Sequence, residues 1–286
     1  MKGWGAMRLN GAVTLVTGAS SGIGAVTAIA LAAAGARLLL TGRDAAHLAE
    51  VARRTGGVAL PADLAVPGEP ARLAAAASQA VLAAPWGQRA TGNQGATGNQ
   101  GATGNQGGID ILVNNAGLGW AGPLGEVTTA NITELIAVNL AAPMELTRLL
   151  VPGMAQRGRG RVVFVSSIAG VTGVRGEAVY SATKAGLSTF AESLAYEVRD
   201  HGVRVCVIVP GVIDTPFFGR RGRPYGRKRP APIAAERVAT AIVAALEHDR
   251  AVVYVPRWLR MPAWIHGAAP GAFRALAARF GDPGYE

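Results

Sequence analysis

The stretch Thr17-Gly-Ala-Ser-Ser-Gly-Ile-Gly24 decides how the rest of this chain is read. It follows the apolar run Val13-Thr-Leu-Val16 directly and opens into the alanine-rich stretch Ile23–Ala34. A strand that ends in glycines and feeds a helix gathers free backbone N–H groups at the positive end of the helix dipole. Gly18, Gly22 and Gly24 omit side chains where the chain turns and where a dinucleotide pyrophosphate would approach the backbone. A glycine-rich loop alone is a modest signal, and the strand–loop–helix setting strengthens it.

The same alternation continues outward from that stretch. Short β-branched or leucine-rich runs predict strands at Val13–Thr17, Arg37–Thr41, Val58–Pro61, Ile109–Asn114, Val162–Ser166, Val203–Val209 and Val252–Val255. Between them, helices are predicted over Ile23–Ala34, Ala45–Arg54, Glu69–Ala84, Asn131–Gln156, Ala178–Asp200 and Ala234–Glu247. Seven strands with helical crossovers predict an α/β fold, a Rossmann-type doubly wound parallel sheet flanked by helices on both faces. Ligands are then expected at the carboxyl ends of the strands. With 286 residues the chain suffices for one such domain, read here as residues 1–256, with 257–286 as a C-terminal amphipathic extension.

Leu9 to Ala36 carries no charge, which a hydropathy window scores as a membrane span. The polar, glycine-rich segment inside it fits a buried strand and helix better. Ala90 to Gly107 is three copies of Ala-Thr-Gly-Asn-Gln-Gly, with no hydrophobic position to build a repeat core. It reads as a flexible insert, costing about 1 kcal/mol or less beyond a short loop, with a partner-binding loop as the alternative.

Composition narrows the function classes. Half of the residues are hydrophobic and 16% are charged, as in a globular enzyme. The single cysteine, Cys206, excludes an intrachain disulfide, and one Cys with four scattered His predicts no metal site. The net charge of +10 raises nucleic-acid binding, yet Arg220, Arg221, Arg223, Arg227, Lys228 and Arg229 concentrate much of it in one acid-free loop. No helix-turn-helix, zinc-finger or aromatic RNA-binding signature accompanies them, so no nucleic-acid partner is expected.

Several motifs in order show that the chain resembles the classical short-chain dehydrogenase/reductase family. The loop has that family's Thr-Gly-x-x-x-Gly-x-Gly spacing, Asn114-Asn115-Ala116-Gly117 closes the fourth strand, and Tyr180-Ser-Ala-Thr-Lys184 follows the fifth. The resemblance implies that Asn139, Ser167, Tyr180 and Lys184 are catalytic. Ser167 rather than Ser166 takes the serine role, because thirteen residues separate it from Tyr180, the family's usual interval. The carry-over also implies cofactor contacts from Gly18, Ser20, Ser21, Gly22, Ile23, Gly24, Asp63, Leu64, Asn115, Ala116, Gly117, Tyr180, Lys184, Pro210, Gly211, Ile213 and Thr215. Of these, Asp63 would meet the adenine and the Pro210-Gly211 segment the nicotinamide. Asn139 would hold its helix open to a water that relays the proton from Lys184. Its plainer reading is a buried asparagine satisfying local backbone.

The Tyr-x-x-x-Lys pair has its own physical logic. Residues i and i+4 share a helix face, so the Lys184 ammonium is placed to favour the Tyr180 phenolate and lower its pKa. In isolation, such a pair is more often a surface or packing contact. For the dinucleotide, the end of the second strand is Gly42, followed by Arg43, where NAD enzymes of this family carry an acid. A guanidinium suits a 2′-phosphate, so NADP is favoured over NAD. Asp44 reads better as a helix N-cap.

Phe217 and Phe218 are candidates for an apolar substrate pocket under the loop 216–230, whose arginines either attract an anionic partner or are simply solvated. The extension mixes Trp258, Leu259, Met261, Trp264, Ile265, Phe273, Leu276 and Phe280 with arginines. Packing on the domain or across a dimer is the preferred reading of it, and a membrane interface the alternative. The chain is thus read as a cytoplasmic oxidoreductase acting on a small carbonyl or alcohol substrate, with peripheral membrane contact left open. The resemblance also implies a homodimer or homotetramer through the two long helices. A non-catalytic dinucleotide sensor or scaffold is the alternative function, and a basic nucleic-acid-binding protein the weaker one.

Overall fold

Val13–Thr17 (β1) sits in the interior of a seven-stranded, wholly parallel sheet, and every one of its residues is buried. The computed structural model describes residues 7–83, 108–223, 225–226 and 230–280; the side chains of 278–280 are excepted. Beside β1 on one side lie Arg37–Thr41 (β2) and Val58–Ala59 (β3). On the other side lie Ile111–Asn114 (β4), Gly160–Val165 (β5), Val203–Pro210 (β6) and Val252–Val255 (β9). The order β3-β2-β1-β4-β5-β6-β9 reverses between β1 and β4, which opens a crevice at the carboxyl ends of those strands. Two short strands outside the predicted set, Ile213–Asp214 (β7) and Ile233–Ala234 (β8), pair with each other in a separate small sheet.

Two hydrophobic cores flank the sheet, and the strands feed them alternately. Val13 and Leu15 of β1, Val162 and Phe164 of β5, and Val205 and Val207 of β6 enter one core. Val16, Val163, Cys206 and Ile208 enter the other. Both faces are covered, so the strands read as continuous apolar runs rather than as alternating patterns. Helices Glu69–Ala83, Ala142–Gln156 and Ala178–Val198 cover the first face. Gly22–Ala33, Ala45–Thr55 and Glu236–Glu247 cover the second. Fully buried Phe164, which meets Phe190 edge-on at 5.8 Å, is worth about 2–3 kcal/mol of transfer free energy. Burial of Cys206 pushes its thiol up to about 12, leaving it protonated at neutral pH.

Several boundaries differ from expectation for local reasons. The predicted strand at Val58–Pro61 shortens to two residues. Leu60 N still donates to Leu40 O at 2.8 Å and Ala62 N to Gly42 O at 3.2 Å, so bonding to β2 continues past the two residues with strand geometry. β4 starts at Ile111 rather than Ile109, because the Asp110 side chain, not a neighbouring strand, accepts from Val13 N at 3.1 Å. The last core helix begins at Glu236, since Ala234 is taken by β8. The long helix before β5 starts at Thr129 behind a capping box of Thr128 and Asn131. It spans Thr129–Gln156, long and apolar enough to cross a membrane, yet half of that apolar window is buried within the domain. The Leu9–Ala36 run resolves into β1, the glycine loop and a packed helix. The insert at 90–107 lies outside the described residues.

The helix Thr129–Gln156 is not uniform. Ala137–Ala141 winds as a π-helix centred on Asn139. Pro143 has no N–H to offer the Asn139 carbonyl four residues earlier, so the regular ladder cannot close there. A proline one turn beyond Asn139 thus opens the helix beside the crevice.

Candidate active site

A cavity of about 910 Å³ occupies the crevice. One end is the glycine loop, and its shape is held from across the sheet. Thr17 Oγ1 accepts from Asn115 N and Ala116 N, both at 2.9 Å, while Asn115 Nδ2 donates to Thr17 O at 2.9 Å. Gly18 has φ +65°, and a Cβ there would lie 2.8 Å from Ala116 Cα. A Cβ at Gly24 would lie 2.1 Å from Gly18 O. The loop folds back on itself too tightly for any side chain at either position.

Ser20, Ser21, Gly22, Ile23, Arg43, Asp63, Leu64, Asn115, Ala116, Gly117, Pro210, Gly211, Ile213 and Thr215 all face this cavity with Gly18. Gly24 and Asn139 do not. Gly24 lies behind the loop and supports it sterically, and Asn139 is fully buried behind the wall. Asp44 caps its helix as expected, its Oδ1 accepting from His47 N at 3.0 Å. Arg43 stands half-exposed at the end of β2, with Nη1 3.3 Å from Glu134 Oε1. Arg220, one of the loop arginines read as either solvated or facing an anionic partner, supplies a second cation here. Its Nη1 donates to Ser21 Oγ at 3.3 Å, across 199 positions of sequence.

At the other end of the cavity, Ser167 leaves the end of β5 and Tyr180 and Lys184 project from the helix Ala178–Val198. Ser166 is a strand-end residue, buried and bonded to Lys184 O at 3.0 Å. Lys184 Nζ donates to Val165 O at 2.9 Å and lies 5.9 Å from the centre of the Tyr180 ring. Asn139 Oδ1 accepts from Leu118 N at 2.7 Å, and its Nδ2 donates to Leu118 O and Thr183 Oγ1. Asn139 thus satisfies the backbone of Leu118 and also centres the opened turn.

The electrostatics correct one expectation. Burial pushes the Tyr180 phenol well above its usual range rather than below it, with hydrogen bonding by Ser167 pulling the other way. Glu177 adds to the rise and Arg221 opposes it. Burial also drives the Lys184 ammonium down to about 8. Desolvation of both groups outweighs the attraction that spacing alone suggested.

The described residues of the segment after β7 pack through their rings and charges. Phe217 lies 5.5 Å from the Tyr180 ring, Phe218 5.5 Å from Phe217, and Tyr225 5.2 Å from Phe218. Arg221 is buried, with an ion pair to Glu177, while Arg223 pairs with Glu126 at 2.9 Å. Glu177 was missed in the sequence, where nothing marks it beyond its place three residues before Tyr180. Arg227, Lys228 and Arg229 lie outside the described residues. In the extension, Leu259 is buried as packing predicts, whereas Trp258, Met261, Trp264 and Leu276 are exposed.

Comparison with known proteins shows which family the chain belongs to. A family model described as short chain dehydrogenase matches residues 12–83 and 93–225. A ketoacyl reductase, HetN, from a Nostoc strain is 33% identical over 252 residues, covering 86% of this chain and 79% of that protein. A short-chain dehydrogenase from Sphingobium yanoikuyae, solved in complex with NADPH, aligns with a TM-score of 0.71 at 26% identity, covering 96% of this chain and 98% of that one. A 3-ketoacyl-(acyl-carrier-protein) reductase from Brucella melitensis, solved with NADH, shares the fold at a TM-score of 0.72 and 23% identity, over 86% and 97% of the two chains.

Proposed function

The chain belongs to the short-chain dehydrogenase/reductase family, and from that premise we propose that it is an NADP(H)-dependent oxidoreductase interconverting a carbonyl and a secondary alcohol. The observation that carries the reading is the convergence of Ser167, Tyr180 and Lys184 on one cavity whose far end is the glycine loop. The residues fit a phosphorylated dinucleotide. Backbone lines the glycine end, the helix Gly22–Ala33 starts there, and Arg43 and Arg220 bring two cations for phosphate. No acid stands at Thr41 or Gly42 to bind the ribose hydroxyls of NAD or to repel a 2′-phosphate. When bound, the reduced nicotinamide supplies the hydride.

Every other step belongs to the chain. Ser167 Oγ hydrogen-bonds the substrate carbonyl and steadies the charge that develops on its oxygen. Tyr180 gives its phenolic proton to that oxygen, and burial keeps it protonated and ready as an acid. Lys184, close to neutrality in its proton affinity, returns a proton toward Tyr180. Asn139 holds open the π-turn through which water reaches Lys184. Oxidation of an alcohol reverses these transfers. Assembly through the two long helices, where Ile136 and Tyr196 remain exposed, is part of the same reading.

Tyr180→Phe is the test. Ketone reduction should fall by about 10²–10⁴-fold, while NADPH binding, read by fluorescence, stays as it was. Unchanged turnover would refute the mechanism. NADPH binding by the native protein with no turnover on any ketone, aldehyde or acyl thioester would favour the sensor alternative.

A further inference from the structure

We propose that Glu177 and Arg221 form a positioning pair that clasps the substrate segment onto the catalytic helix and balances the charge around Tyr180; this rests on the oxidoreductase reading above. Their side chains are only 12% and 4% exposed, and they meet in an ion pair across 44 positions of sequence. Glu177 immediately precedes the helix that carries Tyr180. Arg221 comes from the far segment, and its other contacts hold that segment in shape. Its Nε donates to Arg223 O at 3.1 Å, its guanidinium lies 4.7 Å over the Phe218 ring, and its carbonyl accepts from Ala121 N at 3.0 Å. Phe217, four residues earlier, is thereby held against Tyr180.

A buried ion pair seldom adds net stability, so its presence on this wall asks for another reason. The two charges act on Tyr180 in opposite directions, Glu177 raising its proton affinity and Arg221 lowering it. The other charged groups facing the same cavity are Lys184 on the same helix, Arg175 in the loop before it and Arg223, already held by Glu126, with Arg43, Asp44, Asp63 and Arg220 also lining the cavity. Removing one member of the pair leaves the other uncompensated beside the phenol.

The experiment is the pH profile of ketone reduction by native protein, Glu177→Gln, Arg221→Met and the double variant, with thermal melting to verify folding. Reduction needs protonated Tyr180, so its rate falls as pH rises through that group. Burial already holds that limb at the alkaline edge in the native protein, so Glu177→Gln should bring it to lower pH, while Arg221→Met should push it out of the accessible range. The double variant should return it near the native position while KM for the ketone stays raised. Arg221→Lys should rescue most of both effects. Shifts in the same direction, or a changed KM with an unmoved limb, would overturn the proposal. If the native protein turns over no carbonyl, the oxidoreductase reading fails instead. The opposite displacements are then sought in near-ultraviolet tyrosinate absorbance, with Tyr180→Phe as the blank, and their absence overturns the pair's role.

A separate observation carries a second inference, that the extension docks on an anionic lipid surface. From Arg250 to Gly281 the sequence holds five arginines and no acid. Trp258, Met261, Trp264 and Leu276 are 52%, 63%, 71% and 50% exposed there, next to exposed Arg257, Arg260 and Arg274. Interleaved indoles and guanidiniums match the apolar and anionic layers of such a surface. Leu259, by contrast, is buried against Gly211 on the cavity wall, and the helix Arg260–Ala268 packs on Ala169–Thr172. The patch is thereby fixed beside the active-site cavity.

Flotation of the full chain with phosphatidylcholine vesicles, with and without phosphatidylglycerol, tests this. Binding is expected only with the anionic lipid, and Met261→Ser/Trp264→Ser or Arg257→Gln/Arg260→Gln should each reduce it about tenfold or more while ketone turnover in solution is kept. Leu259 stays in place in both variants, so the cavity wall is not disturbed. No binding to anionic vesicles, or binding that survives both variants, overturns the inference. A dimer that the same serine variants dissociate, without any vesicle binding, assigns the patch to a second copy instead.

Discussion

The two ends of the cavity are built on different principles. At the glycine end, close backbone approach does the shaping: Thr17 Oγ1 gathers the Asn115 and Ala116 N–H groups, and Gly18 and Gly24 leave no room for a Cβ. At the substrate end, side chains do it, through Phe217 against Tyr180 and the Glu177–Arg221 pair. The first construction tolerates almost no change because a backbone cannot yield locally. The second can be retuned one side chain at a time, which suits a wall that sets substrate choice.

Substitutions can break or sharpen that contrast. The largest effect is expected for Gly24→Ala, whose new Cβ would collide with Gly18 O. It should cost about 1–3 kcal/mol in denaturant unfolding and abolish NADPH binding. A loop that still bound cofactor would mean the glycine end is softer than its geometry implies. Next, Arg43→Ala should weaken NADPH by about tenfold and leave NADH nearly unchanged in fluorescence titrations. Equal losses would remove the 2′-phosphate assignment. Asp44→Ala, which deletes a helix cap without touching the loop, should cost about 1 kcal/mol with little change in affinity. The smallest effect is expected for Gly219→Ala on the substrate side. Its Cβ would meet nothing within 4 Å, so melting should shift by no more than about 1 kcal/mol, if anything upward. A large loss there would erase the contrast.

Legibility followed the same division. The glycine loop, the Asn114–Gly117 turn and the Tyr180–Lys184 spacing could be read because each is local, a handful of neighbouring residues whose geometry follows from their order. Arg220 and Arg221 read as members of one basic run, with nothing to tell them apart. In the fold one reaches Ser21 and the other is buried against Glu177. Their partners lie 199 and 44 positions away, which no local pattern reports. The Tyr180 proton affinity was misjudged for a related reason. Spacing shows that a cation is near, but not that both groups are stripped of water. The extension divided as well, with Leu259 packed inward and two tryptophans left outside.

By itself the sequence determined the doubly wound parallel sheet, the loop at its first crossover and the identity of the residues that meet there. Strand and helix periods are properties of consecutive residues, and a right-handed parallel crossover leaves few ways to assemble them. Only the tertiary structure decided which arginines are buried, which carboxylate holds one of them and how strongly desolvation acts on Tyr180 and Lys184. Burial and long-range charge depend on what the rest of the chain brings into contact, and that is settled only when the sheet and its helices close around the crevice.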